Sequence, residues 1–149
     1  QYLFMEKKKI LFSSTNFVLV KNFKTKKFSY KKNIDFNNLL YDRPIANSSV
    51  MITKKIILNI SKKYQSTSHA EDYLWWLKAS ELTKIFNIQR HLTYIGISND
   101  GRTTSSIAKN FKSLVYIYSK IYKFGLFKIL LIFIKLFFHN FEKKLFYYF

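Results

Sequence analysis

The stretch Ser68-His69-Ala70-Glu71-Asp72-Tyr73-Leu74-Trp75-Trp76-Leu77-Lys78 carries the clearest local signal in the chain. Ser68 followed three residues later by Glu71 has the spacing of a capping box, in which the hydroxyl accepts from the Glu71 amide and the carboxylate reaches back. A helix is therefore expected from Ser68 to about Leu82. It is apolar on most of its circumference, which predicts burial. Glu71 and Asp72 make its first turn acidic, and the positive end of the helix dipole accounts for that without any catalytic role.

Working upstream, Ile10, Leu11 and Phe12 precede the polar step Ser13-Ser14-Thr15-Asn16 and then Phe17-Val18-Leu19-Val20. This reads as a strand-turn-strand or as two short strands. Residues 21–32 are strongly basic, with Phe23, Phe28 and Tyr30 as their sole apolar interruptions, and suggest an exposed hairpin or loop. Residues 34–40 fit a short helix capped by Asn33, with Phe36, Leu39 and Leu40 turned inward and Pro44 as the stop. Val50, Met51 and Ile52 fit a short buried strand. Residues 54–61 continue as a helix despite their β-branched content, which lowers intrinsic helix preference. Downstream, residues 85–88 and 92–97 are two strand-like runs separated by Asn87, Gln89 and Arg90, and Asn99-Asp100-Gly101 marks a turn.

The last third differs. Residues 105–149 have almost continuous helical character and no proline. The apolar run Ile129-Leu130-Leu131-Ile132-Phe133-Ile134 is bracketed by Lys128 and Lys135, so it falls short of the roughly 18 apolar residues of a spanning helix. On a wheel of about 100° per residue, Lys120, Lys123, Lys128, Lys135 and His139 occupy a little less than half the circumference. That pattern fits a helix in the headgroup plane of an anionic membrane, with its aromatic and aliphatic face in the acyl boundary. The competing arrangement is a C-terminal helix packed on the globular body or on a homologous partner. Lys143, Lys144 and the end Leu145-Phe146-Tyr147-Tyr148-Phe149 favour the interface, where aromatic rings settle at headgroup depth.

Composition sets the outer bounds. The chain has 149 residues, enough for one ordinary domain, and 26 Lys+Arg against 8 Asp+Glu, a formal charge of +18. An anionic partner is expected. Three Gly and one Pro exclude collagen-like and linker classes, and the absence of Cys removes disulfides, thiolate nucleophiles and zinc ribbons. His69, His91 and His139 have no metal-ligand spacing, and no metal ligands are assigned. The opening nine residues show no secretory signal, and the start at Gln1 without a methionine suggests a fragment. Of the carboxylates, Asp72 is the sensible general base: it sits just inside a helix mouth, in basic surroundings that suit a phosphate-bearing substrate. The alternative is a non-enzymatic basic protein on a membrane surface or nucleic acid. No zinc finger, RNP-like aromatic strand or recognition-helix pattern supports nucleic acid.

The runs Asn47-Ser48-Ser49-Val50-Met51-Ile52, residues 54–64 and Ala70-Glu71-Asp72-Tyr73-Leu74-Trp75-Trp76-Leu77-Lys78 together resemble the C-terminal half of bacterial GT-A glycosyltransferases of family 2. Asn87-Ile88, His91-Leu92-Thr93-Tyr94 and Ile97-Ser98-Asn99-Asp100 are similar to the strand and turn that follow the acidic motif in enzymes building lipopolysaccharide or capsule. Phe4-Met5-Glu6-Lys7 and residues 10–17 resemble the segment just after those enzymes' metal-binding motif. The resemblance spans residues 4–110, and the basic aromatic end is similar to the variable membrane-proximal tails of such enzymes.

The resemblance implies an α/β fold, a partial GT-A domain with a mixed sheet over residues 1–110, followed by a basic amphipathic helical tail over 111–149. It implies an inverting transfer of a sugar from a nucleotide-diphospho-sugar donor to a glycan or lipid-linked acceptor. Asp72 would be the base, Glu71 its partner in the acidic motif, and Trp75 and Trp76 chiefly packing residues, one of which flanks the acceptor. Ser48 and Ser49 would lie near the same cleft. The complete enzyme would use magnesium or manganese on the diphosphate. This chain lacks both the Asp-x-Asp that holds the ion and the nucleotide-binding half, so on its own it is expected to bind no metal and to show little or no transfer. Gly96 stands where many relatives carry an arginine. The implied location is the cytoplasmic face of the bacterial plasma membrane, held peripherally. A half-sheet of this kind should expose a hydrophobic edge and self-associate.

Overall fold

The computed structural model describes residues 1–61, 70–96 and 107–139. Helix α1 (Tyr2–Lys8) leads into a long strand β1 (Phe12–Lys21), which turns into β2 (Lys24–Phe28). A two-residue β3 (Asn33–Ile34), helix α2 (Phe36–Asp42), a 3₁₀ turn (Asn47–Ser49), a two-residue β4 (Met51–Ile52) and helices α3 (Lys54–Ser61) and α4 (Glu71–Leu82) follow. Strand β5 (Ile85–Gly96), helix α5 (Ile107–Tyr116), a π-helical stretch (Ile117–Ile121) and helix α6 (Leu126–His139) complete the order. The class is α/β with a mixed sheet, as expected from the sequence.

The sheet is built on β1 and β5, which run parallel at its centre. β2 and β4 share the other edge of β1, both antiparallel, β4 at its beginning and β2 at its end. β3 pairs antiparallel with the start of β5. Parallel neighbours need a crossover, and residues 22–84 supply it with the helices that cover one face.

Three local readings need correction. The polar step Ser13-Ser14-Thr15-Asn16 does not interrupt β1: all four side chains are buried within one continuous strand. Their polar atoms find partners, which removes the penalty for burying them. Ser14 Oγ donates to Asn87 Oδ1 at 3.1 Å, and Asn87 Nδ2 donates to Asn16 Oδ1 at 2.7 Å. The two runs on either side of Gln89 and Arg90 are likewise one strand, β5. Its register against β1 jumps from the Thr15 and Ile88 pair to the Asn16 and His91 pair, so the intervening polar residues form a bulge. Asn33 is not a cap but part of β3. Asp35 caps α2, its Oδ1 accepting from the Asn38 amide at 2.8 Å while Asn38 Oδ1 accepts from the Asp35 amide at 3.2 Å.

The main core lies between one face of the sheet and the helices, with Phe12, Leu39, Leu40, Ile60, Leu77 and Ile132 at its centre. α4 is buried through Tyr73, Leu74, Trp76, Leu77 and Ala79, and Trp76 packs on the ring of Phe12. On the other face, Phe17, Leu19 and Phe28 make a small second cluster. The outer strands β2 and β3 do not present a hydrophobic edge. Lys24, Lys26 and Lys27 line β2 and β3 is two residues long, both of which discourage pairing with another chain.

The C-terminal helical run is broken rather than continuous. Tyr122 N–H donates to Ile117 O at 3.0 Å, Phe124 N–H reaches Tyr118 O at 2.8 Å, and Lys123 turns left-handed with φ 52° before α6 begins. The inner face of α6, Ile129, Ile132 and Leu136, joins the main core beside Leu114, Ile117 and Tyr118. Among the described residues no helix is long and apolar enough to cross a membrane.

Candidate functional site

Helix α4 begins at Glu71, not Ser68. Ala70 holds the cap position in the left-handed region, φ 63°, and makes no side-chain cap. The backbone closes the first turn instead: Leu74 N–H donates to Ala70 O at 3.1 Å. Ser68, the other half of the expected capping box, lies outside the described residues, as does the Asn99-Asp100-Gly101 turn. The Tyr73 amide is one of the donors a helix start leaves without an intrahelical acceptor, and Asp72 Oδ1 accepts from it at 2.7 Å. Because successive residues step about 100° around the axis, Glu71 and Asp72 remain exposed while Tyr73 and Leu74 turn into the core.

Asp72 lies on the rim of a cavity of about 250 Å³ whose walls include Tyr73, Trp76, Leu39, Leu114 and Arg43. Arg43 closes the C-terminal end of α2 with a left-handed backbone, φ 47°, immediately before Pro44. Its guanidinium lies 4.3 Å from the centre of the Tyr73 ring, a cation–π stack. Tyr73 Oη and Tyr118 Oη are 2.8 Å apart, and the Tyr73 hydroxyl also lies 3.3 Å from Leu39 O, to which it donates. Burial pushes both hydroxyls above the ordinary phenol range, and the positive charge of Arg43 pulls them only partly back. Both therefore stay protonated in neutral solution.

The other residues singled out by the sequence are dispersed. Trp76 is buried on Phe12 and touches the cavity, whereas Trp75 is half-buried and does not line it. Ser48 is exposed on the 3₁₀ turn. Ser49 is buried, its Oγ donating to Ala46 O at 2.7 Å while its carbonyl accepts from Gln1 Nε2 at 3.2 Å. Neither serine lines the cavity at Asp72, so the expectation of a shared cleft is not met; Ser49 holds the turn that precedes β4.

The basic residues of the last third do not form one stripe, because the break before α6 interrupts the wheel. Lys120 belongs to the π-helical stretch and Lys123 to the bend. Lys128 and Lys135 sit two turns apart on one side of α6, their ammonium groups 3.7 Å and 4.3 Å over the rings of Phe124 and Tyr41. The outer face carries Phe127, Leu130, Leu131, Ile134 and Phe138, all exposed.

Sequence reasoning missed Arg43 and the Tyr73 and Tyr118 pair. The available signal was an arginine in a lysine-rich chain, next to its single proline. Among the described residues no group of three or more His, Cys, Asp or Glu side chains could hold a metal ion. In comparisons with known proteins, the chain matches no family model, no curated protein and no solved structure.

Proposed function

We propose that this chain forms the acceptor side of an inverting glycosyltransferase that uses a nucleotide-diphospho-sugar. The observation that carries the reading is the exposed Asp72 carboxylate, at the mouth of a buried helix and on the rim of a cavity that also holds Arg43. In the proposed step, Asp72 takes the proton of an acceptor hydroxyl as its oxygen attacks the anomeric carbon. The bond from that carbon to the diphosphate breaks, and the nucleoside diphosphate leaves with the electron pair. Among the described residues no three His, Cys, Asp or Glu side chains gather, and the step is carried by Asp72 alone. Glu71 adds negative charge beside the base, and Trp76 fixes the helix that carries it.

Asp72 also caps the Tyr73 amide, so the test must separate two roles. Asparagine caps about as well as aspartate but cannot accept the proton. Release of nucleoside diphosphate from a panel of nucleotide sugars, measured on the chain extended by whatever is encoded upstream of Gln1, is expected to fall at least about 100-fold in Asp72→Asn. Undiminished transfer in that variant would refute the base assignment.

A second element of the proposal is peripheral attachment to an anionic membrane, on the cytoplasmic side, favoured by the exposed apolar face of α6 with Lys128 and Lys135 along its flank. Sedimentation with phosphatidylglycerol vesicles is expected to deplete the wild-type chain. Phe127→Asp with Leu131→Asp should leave it in the supernatant. Equal sedimentation of both proteins argues against α6 as the contact.

A further inference from the structure

A second cavity, about 550 Å³, opens between α5 and α6, and its walls are the apolar side chains Phe111, Leu114, Phe133, Ile134 and Phe137. It shares two residues with the Asp72 cavity: Leu114 and Arg43. Arg43 is therefore the polar end of an otherwise hydrocarbon-lined groove. Its Nε is buried and has no hydrogen-bond partner among the described residues, and none of their carboxylates lies within ion-pair distance. A buried guanidinium nitrogen left without an acceptor is costly, and Arg43 is in addition held in the left-handed backbone region. The centre of the Tyr73 ring lies 4.3 Å from the guanidinium carbon, and the Tyr73 and Tyr118 hydroxyls, which hydrogen-bond the guanidinium, are neutral and bring no negative charge to it.

We propose that Arg43 binds the phosphate of an amphiphile whose hydrocarbon chain lies in the α5 and α6 groove. Charge complementarity selects an anionic head, because a planar guanidinium pairs two of its N–H donors with phosphate oxygens. The apolar walls select a chain attached to that head. Ile134 and Phe137 continue the groove onto the outer face of α6, so the chain passes from the protein toward the same side as the exposed stripe. Naming this amphiphile as the sugar acceptor rests on the transferase reading above, with its hydroxyl brought to Asp72 across the shared wall at Arg43. The binding site itself does not depend on that reading.

The test uses the purified chain and three probes, all titrated below micelle-forming concentrations: dodecyl phosphate, inorganic phosphate and dodecanol. Dodecyl phosphate is expected to bind at least tenfold more tightly than either of the others. Arg43→Gln should bring it down to the dodecanol level, and Leu114→Trp should weaken it by a similar factor by filling the groove. Equal binding of inorganic phosphate identifies a free-anion site and overturns the proposal, as does equal binding of dodecanol or an unchanged affinity in both variants. Photocrosslinking of the wild-type chain with a diazirine-bearing alkyl phosphate needs no variant to fold. Labels on residues 111–116 and 133–138 support the site, and labels confined to other segments overturn it. Loss of transfer in Asp72→Asn with dodecyl phosphate binding intact separates the two proposals.

Discussion

At the scale of single residues, the proposed site gathers Arg43, Asp72, Tyr73 and Tyr118, four residues from three helical elements. The tyrosine pair makes a consequence that pH can test. A phenol whose folded pKa lies above the unfolded value near about 10 adds stability that is complete below that value and is lost as pH rises past it, because the unfolded chain releases its proton first. Stability should therefore decline above about pH 10, and urea unfolding of Tyr73→Phe should show a shallower decline than the wild type. An identical slope would mean that Tyr73 ionises as freely in the folded state as in the unfolded chain. Asp72 was visible in the sequence because an acidic first turn precedes an apolar helix. Arg43 was not, since its importance arises from where the end of α2 meets α4, and no local pattern encodes that meeting.

At the scale of elements, the sequence pattern located the helix of residues 54–61 and the body of the one ending at Leu82, expected from Ser68 and found from Glu71, while the basic stretch after β1, readable as hairpin or loop, is a hairpin. The pattern failed where polar residues are buried. Ser13, Ser14, Thr15 and Asn16 look like a turn, yet they form the middle of the sheet because Asn87 reaches them from a strand some seventy residues downstream. Alternation of polar and apolar residues cannot report a hydrogen-bond partner so distant in the chain. Replacing Asn87 by Ala would leave Ser14 Oγ without its acceptor and remove one of the two donors to Asn16 Oδ1, which keeps the Tyr30 amide at 3.1 Å, and is expected to cost about 2 kcal/mol in chemical denaturation. A loss below about 0.5 kcal/mol would show that the buried network contributes little. The break before α6 was missed for a related reason. Residues 117–125 keep a helical composition, and only the i to i+5 bond from Tyr122 and the left-handed Lys123 reveal that the run bends.

At the scale of the whole molecule, the mixed sheet carries its main helical layer on one face, while Phe4 of α1 packs on Phe86 of β5. The two edges are guarded by lysines and by brevity, so the expected self-association through an open sheet edge has no structural basis among the described residues. The same packing turns the C-terminal helices into part of the core on one side and an exposed apolar surface on the other. Between them lies the Arg43 groove, and at its inner end the Asp72 cavity, an order that would place a membrane-borne substrate with its reactive end toward the carboxylate. The decisive measurement is chemical rescue of Asp72→Ala in a transfer assay on the same extended chain. If Asp72 is the base, the variant transfers sugar at about one hundredth of the wild-type rate or less, and added formate, which can enter the vacated space, restores part of it. Transfer by Asp72→Ala within twofold of the wild type, indifferent to formate, would contradict that role.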